Sequence, residues 1–208
     1  MILLALDLSS TRSGWAKFLD NGDLLAHGQI TPDKDTHIFL KIQYTVAQLV
    51  PLMMDADELV VEGIFLNTYK SGKHGVTGFE LLARVSGAVI NKWLELKTKV
   101  PVLYKAVEAR KLVGVSGSSQ KAEIQLWSIR KFNLLANSTL HPDLEDYDAL
   151  IDAEHARLNA GEFKHVTFKV HMGHVSEIIE EGTGIGEDCA DACLLGLAYL
   201  NDSRNKNV

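Results

Sequence analysis

Cysteine and proline are scarce in this chain of 208 residues, at two and four copies. The two cysteines, Cys189 and Cys193, lie four apart in a strongly helical stretch. One helix face would carry both, a poor geometry for a disulfide, so a disulfide-stapled secreted scaffold is excluded and both read as small core residues. Long apolar runs are missing too. Nothing approaches the roughly 18 residues of a membrane span, and the opening MILLALD is too short and too soon acidic for a secretion signal. An intracellular, cytoplasmic protein without membrane contact is expected. Positive charge is in deficit, 21 Lys and Arg against 27 Asp and Glu, for a net charge of −6.

That average conceals a segregation. Residues 67–131 hold twelve bases (70, 73, 84, 92, 97, 99, 105, 110, 111, 121, 130, 131) against four acids (80, 95, 108, 123), or +8, which leaves −14 for the remainder. Screening confines a charge to roughly 8 Å at physiological salt, so an acidic chain can still present a basic face to nucleic acid. The plain alternative is a set of solvated helix faces.

The length suits one well-buried domain. Residues 2–8 read as a central strand; 14–19 and 23–31 follow across the turn Asp20-Asn21-Gly22-Asp23, giving an antiparallel meander of three strands. A helical period runs over 36–54 with Pro51 near its end, then 58–61 forms a short buried strand running into Glu62. Residues 70–78, rich in Gly, Lys and Ser, read as a loop. A long helix follows over 79–96, a strand over 100–104, two short helices over 107–113 and 120–133, and a closing helix over 187–200. Between 133 and 186 the pattern weakens, with a helix over 144–159 and a strand over 165–170 as its best elements; the tail from 201 reads as frayed. The sum is an α/β fold on a mixed five-stranded sheet flanked by helices.

Four acids sit where burial is expected. Asp7 interrupts the first strand, Glu62 ends the fourth, and Asp188 and Asp191 are three apart on the last helix, hence on one side of it. Paired neighbouring strands lie about 4.8 Å apart, so pairing of the first and fourth would bring Asp7 beside Glu62, and a helix across them would add the other two. Four carboxylates so close require a compensating cation. Oxygen-only ligation suits Mg²⁺ or Mn²⁺ rather than zinc, and two such ions support phosphodiester hydrolysis. The bland reading keeps Asp188 as a helix N-terminal charge and Glu62 as a strand end. His165, His171 and His174 match no common zinc spacing and have no cysteine nearby, so they read as ordinary histidines.

The order of these pieces resembles the RNase H-like superfamily and, within it, the RuvC family of Holliday-junction resolvases. The resemblance is carried by ALDLSSTRSGWA at 5–16, VVEGIFLNTYKSGKHGVTGFELLARVSGAVI at 60–90, ARKLVGVSGSSQKAEIQ at 109–125 and EDCADACLLGLAYL at 187–200. It implies an Mg²⁺-dependent endodeoxyribonuclease of recombination and repair, with Mn²⁺ as substitute and two ions per site, that resolves four-way junctions or other branched DNA by paired nicks. Asp7, Glu62, Asp188 and Asp191 fall on the family's metal-binding carboxylates. Phe65 falls where an aromatic unstacks bases at the junction centre, and Lys121 on a lysine near the scissile phosphate. Arg110 or Lys111 occupies the place of a further phosphate contact, and Lys70 and Lys73 add positive charge to the same DNA-facing stretch. A homodimer would match the two-fold junction, with the 79–96 helix, bearing Trp93, as candidate dimer surface.

Two departures stand out. The 133–186 segment is longer than the family's connection, and from 143 to 191 it carries thirteen acids against three bases, an acidic insertion that fits a divergent, for instance viral, member. No familiar element for recognising a cleavage sequence is present. Two other classes compete: an actin-like or sugar-kinase phosphotransferase, whose first phosphate loop Asp7-Leu8-Ser9-Ser10-Thr11-Arg12-Ser13-Gly14 resembles, and a junction-binding protein without catalysis. The first needs a duplicated domain that 208 residues scarcely accommodate; four intact acids speak against the second.

Overall fold

The computed structural model describes residues 1–64, 73–119, 124, 127, 128, 131, 132, 167–171, 174–179 and 187–206. Strands β1 (Ile2–Asp7), β2 (Ser13–Leu19) and β3 (Leu24–Ile30) form the expected antiparallel meander. Its β2–β3 turn works because Gly22 takes φ 96° and the Asn21 side chain caps the N–H of Asp23. Helix α1 (Ile38–Asp55) then carries the chain to β4 (Glu58–Glu62), which lies parallel to β1; α2 (Lys73–Lys97) leads to β5 (Val102–Tyr104), parallel to β4. Helices are what allow those parallel returns. The sheet order is β3-β2-β1-β4-β5, mixed and five-stranded as the sequence predicts.

The central position of β1 explains its apolar run. Leu3, Leu4, Ala5 and Leu6 are all fully buried because both faces of the sheet are covered. Alternate residues serve different cores. Leu4, Leu6, Leu59 and Val61 pack against Leu49 and Met53 of α1 and Val85, Val89 and Trp93 of α2. Leu3, Ala5, Ala16, Phe18 and Val60 pack on the other face against the last helix, α4 (Glu187–Lys206), and against Ala109 of α3 (Ala106–Leu112). Ile124 and Phe132, both helical, complete that side; the Phe132 ring lies 5.6 Å from that of Phe18. Helix α4 approaches the sheet closely at Gly196, where a Cβ would stand 2.3 Å from the Phe18 ring.

Four sequence expectations change. Residues 73–78 are the first turns of α2 rather than loop, since a helix docked on a core tolerates Gly75 and Gly78 that local propensity disfavours. Residues 201–206 continue α4, held in part by Asn201 donating to the Leu112 carbonyl and Tyr104 to Asp202. The strand expected at 165–170 is one arm of a hairpin, β6 (Thr167–His171) with β7 (His174–Ile179), and β7 was not legible in the sequence. Trp93, read as part of a dimer surface, is 0 % exposed inside the chain's own core, so its side of α2 is spent on the sheet and α1. The helix expected over 144–159 lies outside the described residues.

Candidate active site

Strand parity decides where the acids go. Leu3 and Ala5 belong to the α4 face, so Asp7, two residues further, belongs to it as well. Val60 belongs to the same face, and so does Glu62. Leu6 pairs with Val61 in the parallel ladder, which sets Asp7 and Glu62 side by side at the carboxyl ends of adjoining strands. On this face, at the same rim, α4 begins. Its first turn packs against Gly14, the register partner of Asp7, so tightly that a Cβ there would lie 2.0 Å from the Asp188 carbonyl oxygen. The chain thereby brings the backbone positions of all four acids to one rim. Asp7 and Asp188 both act on one buried group, the Cys189 thiol, whose pKa they help to raise.

Asp188 is 8 % exposed, and its Oδ2 accepts a 2.6 Å hydrogen bond from Arg12 Nε. Asp191 Oδ1 lies 3.8 Å from an Arg110 Nη2. Positive charge on the acidic end of α4 therefore comes from two arginines, one on the β1–β2 turn and one on α3. Among the described residues no group of three or more His, Cys, Asp and Glu is gathered closely enough to hold a metal ion. The donor chemistry suits a hard divalent cation. A cation at this rim would have to share Asp188 with the Arg12 guanidinium.

The two candidates on α3 have different situations. Arg110 has a side chain 16 % exposed, and its Nη1 donates to the carbonyls of Ser119 at 3.1 Å and Gly117 at 3.4 Å. It ties the 117–119 loop to Asp191. Lys111 is exposed. Lys73 opens α2. Phe65, Lys70 and Lys121 lie outside the described residues.

Arg12 and Gly14 are the members that the reading of individual residues passed over. Both stood inside the quoted 5–16 stretch. The available signal for Arg12 was a lone cation on the turn that follows the strand-end aspartate; its partner, 176 residues away, carried no local signal.

Beneath the rim, Cys189 Sγ donates to the Gly28 carbonyl at 2.9 Å and lies 3.6 Å from His27 Nδ1. Burial pushes the Cys189 thiol up to about 12 and that of Cys193 well above its usual value, so both are inert packing groups, unbridged as expected. Burial also lowers the His27 pKa from 6.5 to about 4, and its Nε2 is buried with no hydrogen-bond partner among the described residues. The unfolded chain takes up this proton below pH 6.5 and the folded chain only near pH 4. Stability from His27 is therefore complete above pH 6.5 and is lost as the pH falls towards 4, by up to roughly 3 kcal/mol. Thermal midpoints measured from pH 7 to pH 4 should fall less steeply in His27→Leu than in the wild type; equal slopes would contradict the assignment.

The mixed sheet of order β3-β2-β1-β4-β5, with helices on both faces and acids at the ends of its first and fourth strands, defines an α/β protein of RNase H-like fold. Solved structures agree. The RuvC structure from Thermus thermophilus superposes with a TM-score of 0.58 at 14 % identity, over 99 % of this chain and 97 % of that one. The same bacterium's RuvC in complex with Holliday junction substrate gives 0.59 at 13 % identity, over 99 % and 96 %. A ROK hexokinase from the same bacterium reaches only 0.32, over 54 % of this chain, too slight a likeness to carry the phosphotransferase reading. No family model matches the sequence, and no curated protein matches it significantly. What is shared with RuvC at this identity is the fold. No helix among the described residues is long and apolar enough to cross a membrane.

Proposed function

We propose that this chain is a structure-selective endodeoxyribonuclease that resolves four-way DNA junctions, or related branched DNA, by paired nicks as a homodimer. One observation carries the reading: in a fold matched across nearly its whole length by a RuvC structure in complex with Holliday junction substrate, the backbone positions of Asp7, Glu62, Asp188 and Asp191 lie at one sheet rim. Strand ends that converge on a helix N-terminus form an acidic rim beside basic α3, a layout suited to phosphodiester hydrolysis.

In this reading the four carboxylates are the catalytic groups and the ligands for Mg²⁺ or Mn²⁺. A divalent pair, when bound, would supply a Lewis acid for the attacking water and charge neutralisation at the leaving oxygen. Arg110 fixes the 117–119 loop, two residues from Lys121. By its resemblance Lys121 stabilises charge on the scissile phosphate, and Phe65 opens the base stack at the junction centre. Lys70, Lys73 and Lys111 contribute to the DNA-facing charge.

A synthetic four-way junction incubated with the protein and Mg²⁺ should yield nicked linear duplexes with the two cuts placed symmetrically. An intact junction with Mg²⁺ and with Mn²⁺, under conditions where it is bound, would refute hydrolysis and leave the non-catalytic binder.

A further inference from the structure

A groove of about 350 Å³ opens beside the acidic rim, lined by Thr11 and Arg12 of the β1–β2 turn, Thr31, Pro32 and Lys34 after β3, and Lys41 in the first turns of α1. Of the six described residues that line it, three are cations, two are hydroxyls and none is acidic. It continues into a hollow of about 520 Å³ that shares Thr31, Pro32 and Lys41. The acid of that second hollow, Asp33, turns its Oδ1 back onto the Asp35 N–H at 2.9 Å, capping its own turn. Two of the cations are braced: Lys41 Nζ donates to the Lys34 carbonyl at 2.6 Å, and Arg12 is held by Asp188.

These cations belong to residues 12–41, outside the basic 67–131 segment, so charge counting along the sequence gives them no prominence. We propose that this groove receives the phosphodiester backbone of the bound DNA, and that Arg12 sets the backbone's register against the acidic rim. Convergent lysines and hydroxyls without a carboxylate recognise phosphate oxygens rather than bases. Arg12 is the link because a guanidinium presents five N–H donors in a fixed fork, and Nε alone serves Asp188. The side chain is 38 % exposed, so the fork stays open to a ligand on its outer side. The backbone would thus run from the groove to Asp188 across one rigid planar group. This inference rests on the nuclease reading for its ligand but not on cleavage.

The test is binding of a labelled four-way junction in EDTA, titrated at several salt concentrations, by wild type and by a Lys34→Gln/Lys41→Gln variant. Each lost phosphate contact lowers the slope of log K against log salt by about 1. The double variant should bind roughly tenfold more weakly with a slope shallower by about 1 to 2. Affinity and slope within twofold of wild type would overturn the groove while leaving the nuclease reading intact. A wild type that binds no DNA overturns both. Inorganic phosphate displacing the junction at low millimolar concentration would assign the groove to a small anion and overturn the backbone assignment. Should the double variant fail to fold, Lys34→Glu at an exposed loop position gives the same readout, with a larger loss expected from the reversed charge.

Discussion

Asp188→Asn and Asp7→Asn are each expected to bind a four-way junction about as well as the wild type and to cut it at least roughly 10²-fold more slowly. The isosteric amide keeps the volume of the carboxylate and, at position 188, still offers an oxygen to Arg12 Nε. What it removes is the negative charge at the rim. In the proposed reading that charge would hold the divalent cation that stabilises the transition state, and a single well-placed electrostatic group is worth roughly 10² to 10³ in rate. Single-turnover cleavage beside equilibrium binding separates the two effects. If either variant cuts at the wild-type rate, that carboxylate is not catalytic, and survival of cutting in both would leave the rim a structural feature. The distinction has force because Asp188 has an evident structural occupation, its pair with Arg12. A residue that merely anchored the turn would reduce the thermal midpoint without touching the rate of the bound complex.

Gly14→Ala should be the most damaging single-methyl change in the described part of the molecule, destabilising by about 3 kcal/mol. A Cβ at Gly14 would fall 2.0 Å from the Asp188 carbonyl oxygen, 2.1 Å from its carbon and 2.5 Å from the Cys189 nitrogen. These are backbone atoms of the first turn of α4 and cannot rotate aside. The helix would have to withdraw from β2, yet Gly196 clamps it to Phe18 from the same sheet face, where a Cβ would meet the ring at 2.3 Å. For a chain of this size about 3 kcal/mol corresponds to a midpoint lowered by roughly 6 to 12 °C. Junction cutting should fall further than stability alone explains, because the carrier of Asp188 and Asp191 is displaced from Asp7. Gly87→Ala gives the opposite sign. That glycine lies exposed within α2, a Cβ there meets nothing within 4 Å, and the exchange should stabilise by about 0.5 to 1 kcal/mol. Midpoints from thermal unfolding of both variants decide the matter; a Gly14→Ala protein as stable as wild type would show that α4 is not seated as described.

The likeness to RuvC structures and the acidic rim bear on different questions. Superposition at 14 % identity establishes a shared architecture. Function has to come from the site. There the structure departs from a simple carboxylate cage, because Arg12 and Arg110 supply positive charge to Asp188 and Asp191. A rim whose acids already carry counter-charges is less repulsive to a phosphate backbone than four bare carboxylates would be, and Arg12 adds a donor fork on the approach side.

Much of the fold is legible residue by residue because its signals are short-ranged. The run Leu3 to Leu6 can only be a strand buried on both faces, the Asp20 to Asp23 turn fixes an antiparallel meander, and the spacing of Asp188 and Asp191 places them on one side of a helix. The strand period of two also puts Asp7 in phase with Ala5, and Glu62 with Val60. Other readings failed where burial outvoted local preference. Composition made 73–78 a loop, and the helix seated further along by Val85, Val89 and Trp93 runs back through it. Trp93 advertised a hydrophobic face, and only the assembled core shows that α1 and the sheet consume it.

By itself, then, the sequence determined the main strands, turns and helices apart from 73–78, β7 and 201–206, which acids share a phase, and that one segment is basic although the chain is acidic. The tertiary structure alone decided that β1 lies beside β4, that Gly14 leaves room for the start of α4, that Arg12 faces Asp188 from 176 positions away, and that Lys34 and Lys41 line one groove with it. Periodicity is a property of neighbours in the chain, a few residues at a time. Charge pairing and close approach depend on distances that come into being only when two separate apolar faces are buried against the same sheet.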